Sequence, residues 1–179
     1  MSVAAVAVVL LSLDGCRKAA TAESAPRTLV VTSADIQQGT EIPKQFTCDG
    51  EGVSPALGWD QPPAGTRSMV VIVSDPDAPS GTFIHWVIYN LSAETRGLAR
   101  GVVAKEMLPD GSRQGVNSGD KVGYYGPCPP GHSQHRYFFT VYALDQVLAL
   151  PSGADESQVS KAMHGHVLAQ GQLMGKYGR

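Results

Sequence analysis

The chain has 179 residues, 42% of them hydrophobic, with 14 Lys+Arg against 16 Asp+Glu and a formal charge of −2. That is enough for one globular domain of roughly 100–200 residues, and the near-balance of charge excludes an electrostatic nucleic-acid binder, which needs a basic surplus on one face. Charged residues are only 17%, while Gly and Pro number 20 and 12, so a fold rich in turns and poor in long helices is expected.

Residues 3–11 (VAAVAVVLL) form an uncharged apolar run. It is too short to span a bilayer and has the length of a signal-peptide hydrophobic region. Ser12-Leu13-Asp14-Gly15-Cys16 follows and resembles a bacterial lipoprotein cleavage box, in which cleavage after Gly15 leaves Cys16 as the lipid attachment site. Residues 1–15 therefore read as a lipoprotein-type signal peptide, and the mature protein is expected in the bacterial cell envelope, membrane-anchored or periplasmic. Asp14 and the lack of a basic residue before the run depart from that pattern, leaving an uncleaved leader or an upstream start as the other reading. Residues 16–27 are small, polar and unpatterned, as in a flexible tether, and 28–179 remain as the folded domain. With Cys16 lipidated, Cys48 and Cys128 are left. In an exported chain they read as one disulfide closing a long loop, with two buried free thiols as the alternative. C-x-x-C spacing is absent, so no metal site is expected.

Residues 29–32 (LVVT) predict a first strand and 45–48 (QFTC) a second. Leu57-Gly58-Trp59 precedes a Pro62-Pro63-Ala64-Gly65 turn. Residues 68–74 (SMVVIVS) form an almost continuous apolar run, as expected of a central strand covered on both faces. Residues 83–91 (FIHWVIYNL) predict another strand, 92–122 a long surface excursion, and 136–144 (RYFFTVYAL) the strongest strand of the chain. Asp155 can cap a helix running to about Gln170, with Gln158 three residues on and Val159, Ala162, Met163 and Val167 at helical spacing. Gly171 and Gly175 would break it, with a short strand at Leu173-Met174. Regular helices between strands are missing, so the architecture reads as mainly antiparallel β.

Two polar clusters lie at strand ends. Asp75-Pro76-Asp77-Ala78-Pro79-Ser80-Gly81 follows the most apolar strand, and Gly123-Tyr124-Tyr125-Gly126-Pro127-Cys128-Pro129-Pro130-Gly131 leads to His132-Ser133-Gln134-His135-Arg136-Tyr137. His85 lies between them in an apolar strand. Each has a purely structural reading: Asp-Pro-Asp as turn chemistry, the histidine as a satisfied core residue, the proline loop as a rigid connector. Together they place carboxylates, imidazoles and a phenol where strand ends converge. Spacing of two puts Asp75 with Asp77, and His135 with Tyr137, on one side of an extended chain.

These stretches, DPDAPSGTFIHWVIYN (75–90) and GPCPP followed by HRYFFTVYAL (126–144), resemble the phosphatidylethanolamine-binding protein family, in particular its bacterial Raf-kinase-inhibitor-like branch. FTCDGEGVSP (46–55) and the tail from Gly165 to Arg179 are similar to it too. The resemblance implies a mainly β fold, an antiparallel β-sandwich with a few peripheral helices. It also implies an anion-accepting pocket at one end, with ligand-binding residues Asp75, Asp77, His85, Gly126, Pro127, His135 and Tyr137 and an aromatic lid at Phe83. A homodimer is a further expectation from the resemblance; the eukaryotic kinase-binding role is not implied.

Two acids should repel an anion. The expectation is therefore that Asp75 bonds His85 or His135 and raises its proton affinity, so that imidazole N–H, the Tyr137 hydroxyl and backbone amides donate to the anion. The leading functional reading is non-enzymatic binding of a phosphate-bearing or other anionic small group, including a phospholipid head group, with no cofactor. Its rivals are a protein-interaction module such as a protease inhibitor, and a hydrolase using the Asp/His/Tyr cluster; no G-x-S-x-G nucleophile pattern is present.

Overall fold

The computed structural model describes Met1 and residues 27–179. The expected signal peptide after Met1, Cys16 and all but the last residue of the tether lie outside the described residues. Among the described residues, nine strands form two sheets. β1 (Arg27–Thr28), β4 (Ser68–Asp75), β5 (Phe83–Ser92), β7 (Arg113–Gln114), β8 (His135–Leu144) and β9 (Val167–Tyr177) make the larger, in the order β1-β9-β8-β4-β5-β7. β2 (Val31–Thr32), β3 (Leu57–Trp59) and β6 (Gly97–Leu98) make the smaller, in the order β2-β3-β6. All pairs are antiparallel except β1 with β9.

β4 shows why a continuous apolar run belongs at the centre. Its Met69, Val71 and Val73 face the smaller sheet, packing with Leu57, Trp59, Trp86 and Phe139. Val70 and Ile72 face the other way, into a second cluster with Val87, Tyr89, Leu148, Val159 and Met163 under helix α1 (Glu156–Met163). Successive strand residues point to opposite faces, so a strand covered on both sides has no polar alternation to display.

Four sequence-based expectations are corrected. The stretch 29–32 is not one strand: after β1, Leu29 N–H still donates to Gln170 O, and the chain then crosses to the smaller sheet, where Val31 pairs with Trp59. Residues 45–48 do not form a strand; Lys44–Phe46 is a short 3-10 helix that starts after Pro43, and Thr47 closes it with both N–H and hydroxyl on Lys44 O. The 92–122 excursion carries β6 and β7, and it buries Ser112, Gln114 and Asn117. Gln114 accepts from Trp86 Nε1 at 2.7 Å and donates to the Val103 and Lys105 carbonyls, which gives this loop an interior anchor.

The fourth correction concerns the C-terminal segment. The Asp155–Gln158 capping box is formed, but the helix stops at Met163, and residues 167–177 are an eleven-residue strand paired with β8. Gly171 and Gly175 are not breakers but close-contact sites inside that strand: a Cβ would lie 2.1 Å from Leu29 O at the first and 2.6 Å from Ile42 Cγ1 at the second. His164 is the helix C-cap, and His166, beyond the helix, bonds Asp145 through Nδ1 at 2.8 Å.

Candidate functional site

At one end of the larger sheet, the last residue of β4 and the first residues of β5 and β8 meet. They surround a cavity of about 180 Å³ lined by Asp75, Phe83, His85 and His135 from the strands, and by Ala78–Ser80, Tyr125 and Cys128–Pro130 from loops. The sequence cannot place His85 here by alternation alone. In the β4–β5 ladder Val73 pairs with Trp86 but Ser74 pairs with Ile84, so His85 is an extra, unpaired residue in a β-bulge. Bulges re-aim one side chain without disturbing the strands on either side.

Each imidazole is held through Nδ1. His85 Nδ1–H donates to Tyr125 O at 2.6 Å, because a carbonyl can only accept. His135 Nδ1 bonds Asp75 Oδ2 at 2.8 Å, with both side chains buried. Asp75 Oδ1 accepts Asp77 N–H at 2.9 Å, so both carboxylate oxygens are occupied by protein donors. Neither Nε2 has a protein partner among the described residues. Tyr137 Oη is the one sealed, partnerless polar side-chain atom among them, so both Nε2 atoms open on the cavity. Burial holds His85 below the ordinary histidine pKa, against the opposing pull of its bond to Tyr125 and of the Asp75 charge.

Of the residues singled out from the sequence, Asp75, His85 and His135 come together on the cavity wall, and Phe83 lies against His85 with ring centroids 4.8 Å apart. Asp77 turns outward instead. Its carboxylate takes Arg136 Nη2 at 2.7 Å, and Nε and the Arg136 backbone N–H each at 2.9 Å, which holds its pKa down at about 2. Tyr137 lies behind His85, edge-on at 5.2 Å, with its hydroxyl sealed from the cavity. Burial first, and then Asp75, push that phenol's pKa up, so it stays protonated.

Gly126 and Pro127 form the backing of the wall rather than its surface. Pro127 O accepts Cys48 N–H at 3.1 Å, and a Cβ on Gly126 would lie 3.0 Å from Phe46 O. The Cys48–Cys128 disulfide is formed across the same contact, with Cα atoms 5.4 Å apart. The proline loop is thereby pinned to the 3-10 helix turn, and Cys128 itself faces the cavity. Tyr125 lies inside the Gly/Pro cluster read from the sequence but is not among its predicted ligand-binding residues, because its hydrogen bond to His85 is made by its backbone carbonyl, which sequence patterns do not report.

The phosphatidylethanolamine-binding protein family profile matches residues 32–178. The chain belongs to this family. UPF0098 proteins are similar along most of their length: one from Aquifex aeolicus is 48% identical over 151 residues, covering 83% of this chain and 88% of the relative. Another, from Methanothermobacter thermautotrophicus, is 50% identical over 138 residues, covering 77% and 91%. Among solved structures, a Chlamydia trachomatis homologue of phosphatidylethanolamine-binding proteins superposes with a TM-score of 0.77 at 39% identity, covering 86% of this chain and 99% of that one. E. coli YbcL, described as a member of the mammalian family, superposes with a TM-score of 0.78 at 30% identity, covering 84% and 98%. The mainly β family fold is thus present, and the cavity sits where β4, β5 and β8 end within it.

Proposed function

We propose that this member of the phosphatidylethanolamine-binding protein family binds a small anionic group, such as a phosphate-bearing one, in the Asp75–His85–His135 cavity without turning it over. The observation that carries the reading is the pair of imidazoles anchored at Nδ1 with Nε2 open to one cavity. A protonated Nε2–H is a strong, charge-assisted donor to an oxyanion. Asp75 is the orienting group for His135, and its own oxygens are directed to N–H donors rather than to an incoming anion. Non-catalytic binding is favoured because, among the described residues, no serine or threonine hydroxyl is hydrogen-bonded to either imidazole, as an activated nucleophile would be.

Calorimetric titration with inorganic phosphate and with phosphorylethanolamine tests this. Binding should tighten as pH falls from about 8 to about 6, through the ordinary histidine range. Stronger binding at the higher pH would overturn it.

The envelope location and lipid anchor stand as part of the same proposal, resting on residues 3–16 of the sequence. β1 begins beside Ala169 and Gln170, whereas His135 pairs with Tyr177 at the far end of β9. A chain tethered through its N-terminus would carry the cavity at the end of the sheet remote from that attachment. Mass spectrometry of the mature protein, with a Cys16→Ser control, should find a diacylglyceryl-modified Cys16; an unmodified thiol there would remove the anchor from the proposal.

A further inference from the structure

Resting on that reading, we propose that the cavity selects a singly charged oxyanion carrying a compact apolar group and discriminates against dianions. The argument is a count of charges that can face the ligand. Among the described residues, no lysine or arginine lines the cavity. Two guanidiniums at this end of the sheet are committed elsewhere: Arg136 to Asp77 at 2.7 Å and Arg179 to Asp49 at 3.3 Å. The wall itself holds three ionisable groups that a ligand can meet in charged form. Asp75 accepts N–H bonds at both oxygens, the pattern of a carboxylate, and contributes one negative charge. His135 and His85 contribute at most one positive charge each. The Tyr125 and Tyr137 phenols contribute none, and the Asp77–Arg136 pair sums to zero.

The largest net charge the wall can reach is therefore plus one, with both imidazoles protonated. A monoanion cancels it. A dianion leaves one negative charge uncompensated among side chains that are only 3–4% exposed, at Asp75, His85 and His135, and an uncompensated buried charge is strongly disfavoured. Much of the remaining lining is apolar, from Phe83, Ala78, Pro79, Pro129 and Pro130; the Ser80 and Tyr125 hydroxyls can donate to an oxygen but bring no positive charge to balance a second negative one. The apolar surface gives a flat apolar group next to the anion something to cover.

Benzenesulfonate and phenylphosphonate separate these cases, since they share the ring and differ by one charge in weak alkali. Titrated into the full-length folded protein at about pH 8.5, where both anions bind more weakly than at about pH 6, the sulfonate should still bind about tenfold or more tightly than the phosphonate. At about pH 5.5, where the phosphonate is singly charged, the difference should largely vanish, and methanesulfonate should bind more weakly than benzenesulfonate. Ser80 is exposed and lines the rim, so Ser80→Lys adds a fixed cation without disturbing the core. It should raise phosphonate affinity at alkaline pH more than sulfonate affinity. Equal or tighter binding of the dianion by the unaltered protein overturns the selectivity while leaving anion binding intact. Binding of none of these anions, nor of phosphate at pH 6, overturns the underlying reading as well.

Discussion

Asp75 and His135 lie 60 positions apart in sequence and share a buried bond of 2.8 Å between Oδ2 and Nδ1. β4 and β8 are antiparallel neighbours, so the end of one strand and the beginning of the other are brought side by side. The bond fixes which nitrogen of His135 faces the protein and which faces the cavity. Asp75→Asn preserves shape but removes the charge that supports an imidazolium. A hydrogen bond to a charged group contributes about 1.5–3 kcal/mol, so phosphate affinity near pH 6 should fall by about tenfold or more. Calorimetry on the folded variant checks this, and an unchanged affinity would remove Asp75 from the site.

The pH dependence of stability has two separable limbs. His85 has a folded pKa below its unfolded value near 6.5, so the unfolded chain takes up the proton first. The stabilisation it supplies is complete above about pH 6.5 and is lost as pH falls toward the folded value. Denaturant unfolding at stepped pH should show stability declining below about 6.5, and His85→Gln should flatten that decline.

Asp77 governs a more acidic limb. Arg136 lowers its folded pKa from 3.8 to about 2, so its contribution is present above 3.8 and lost as pH falls through about 2. Asp77→Asn should remove that part of the acid sensitivity while leaving the limb near pH 6 in place. The pair is partly exposed, at 52% for Arg136 and 27% for Asp77, so added salt should weaken it.

The disulfide closes a loop of 80 residues. By the chain-entropy relation, a bridge over so long a loop stabilises the fold by about 4.5 kcal/mol. The double variant Cys48→Ser/Cys128→Ser should therefore unfold at a clearly lower denaturant midpoint. Cys128 also lines the cavity, so anion affinity should fall along with stability. A variant that loses stability but binds phosphate unchanged would show that the wall holds its shape without the bridge.

Gly171 offers a test of the strand assignment at the C-terminus. A methyl group there would meet Leu29 O at 2.1 Å, so the chain that crosses between sheets must shift. Overpacking of this kind costs about 1–3 kcal/mol, and Gly171→Ala should lower the melting temperature accordingly. In a helix the same change would be stabilising, because alanine is the better helix former; the sign of the effect distinguishes the two structures.

Composition and periodicity alone were sufficient for the mainly β class, the doubly covered β4, the strands β5 and β8, and the Asp155 cap. Each of these is a local pattern: apolar continuity, β-branched and aromatic content, or a polar residue at a fixed offset. The strand at Leu173-Met174 is legible too, but residues 167–170 read as helix because Val167 continues the helical spacing of Val159 and Met163, whereas they belong to β9. What overrides that spacing is the ladder with β8 and the close approach of Leu29 and Ile42 to Gly171 and Gly175, contacts that sequence periodicity does not carry.

The site divides along the same line. That acids, histidines and a Gly/Pro loop gather at strand ends is written in the order of residues 75–85 and 126–137. Which histidine meets Asp75, why His85 turns to the cavity, and why Asp77 turns away were decided only in three dimensions. They depend on antiparallel pairing of distant strands, on a one-residue bulge, and on Arg136 competing for the second carboxylate. Hydrogen bonds are short-range and directional, so an offset of a single residue in strand register determines which partner each polar group finds.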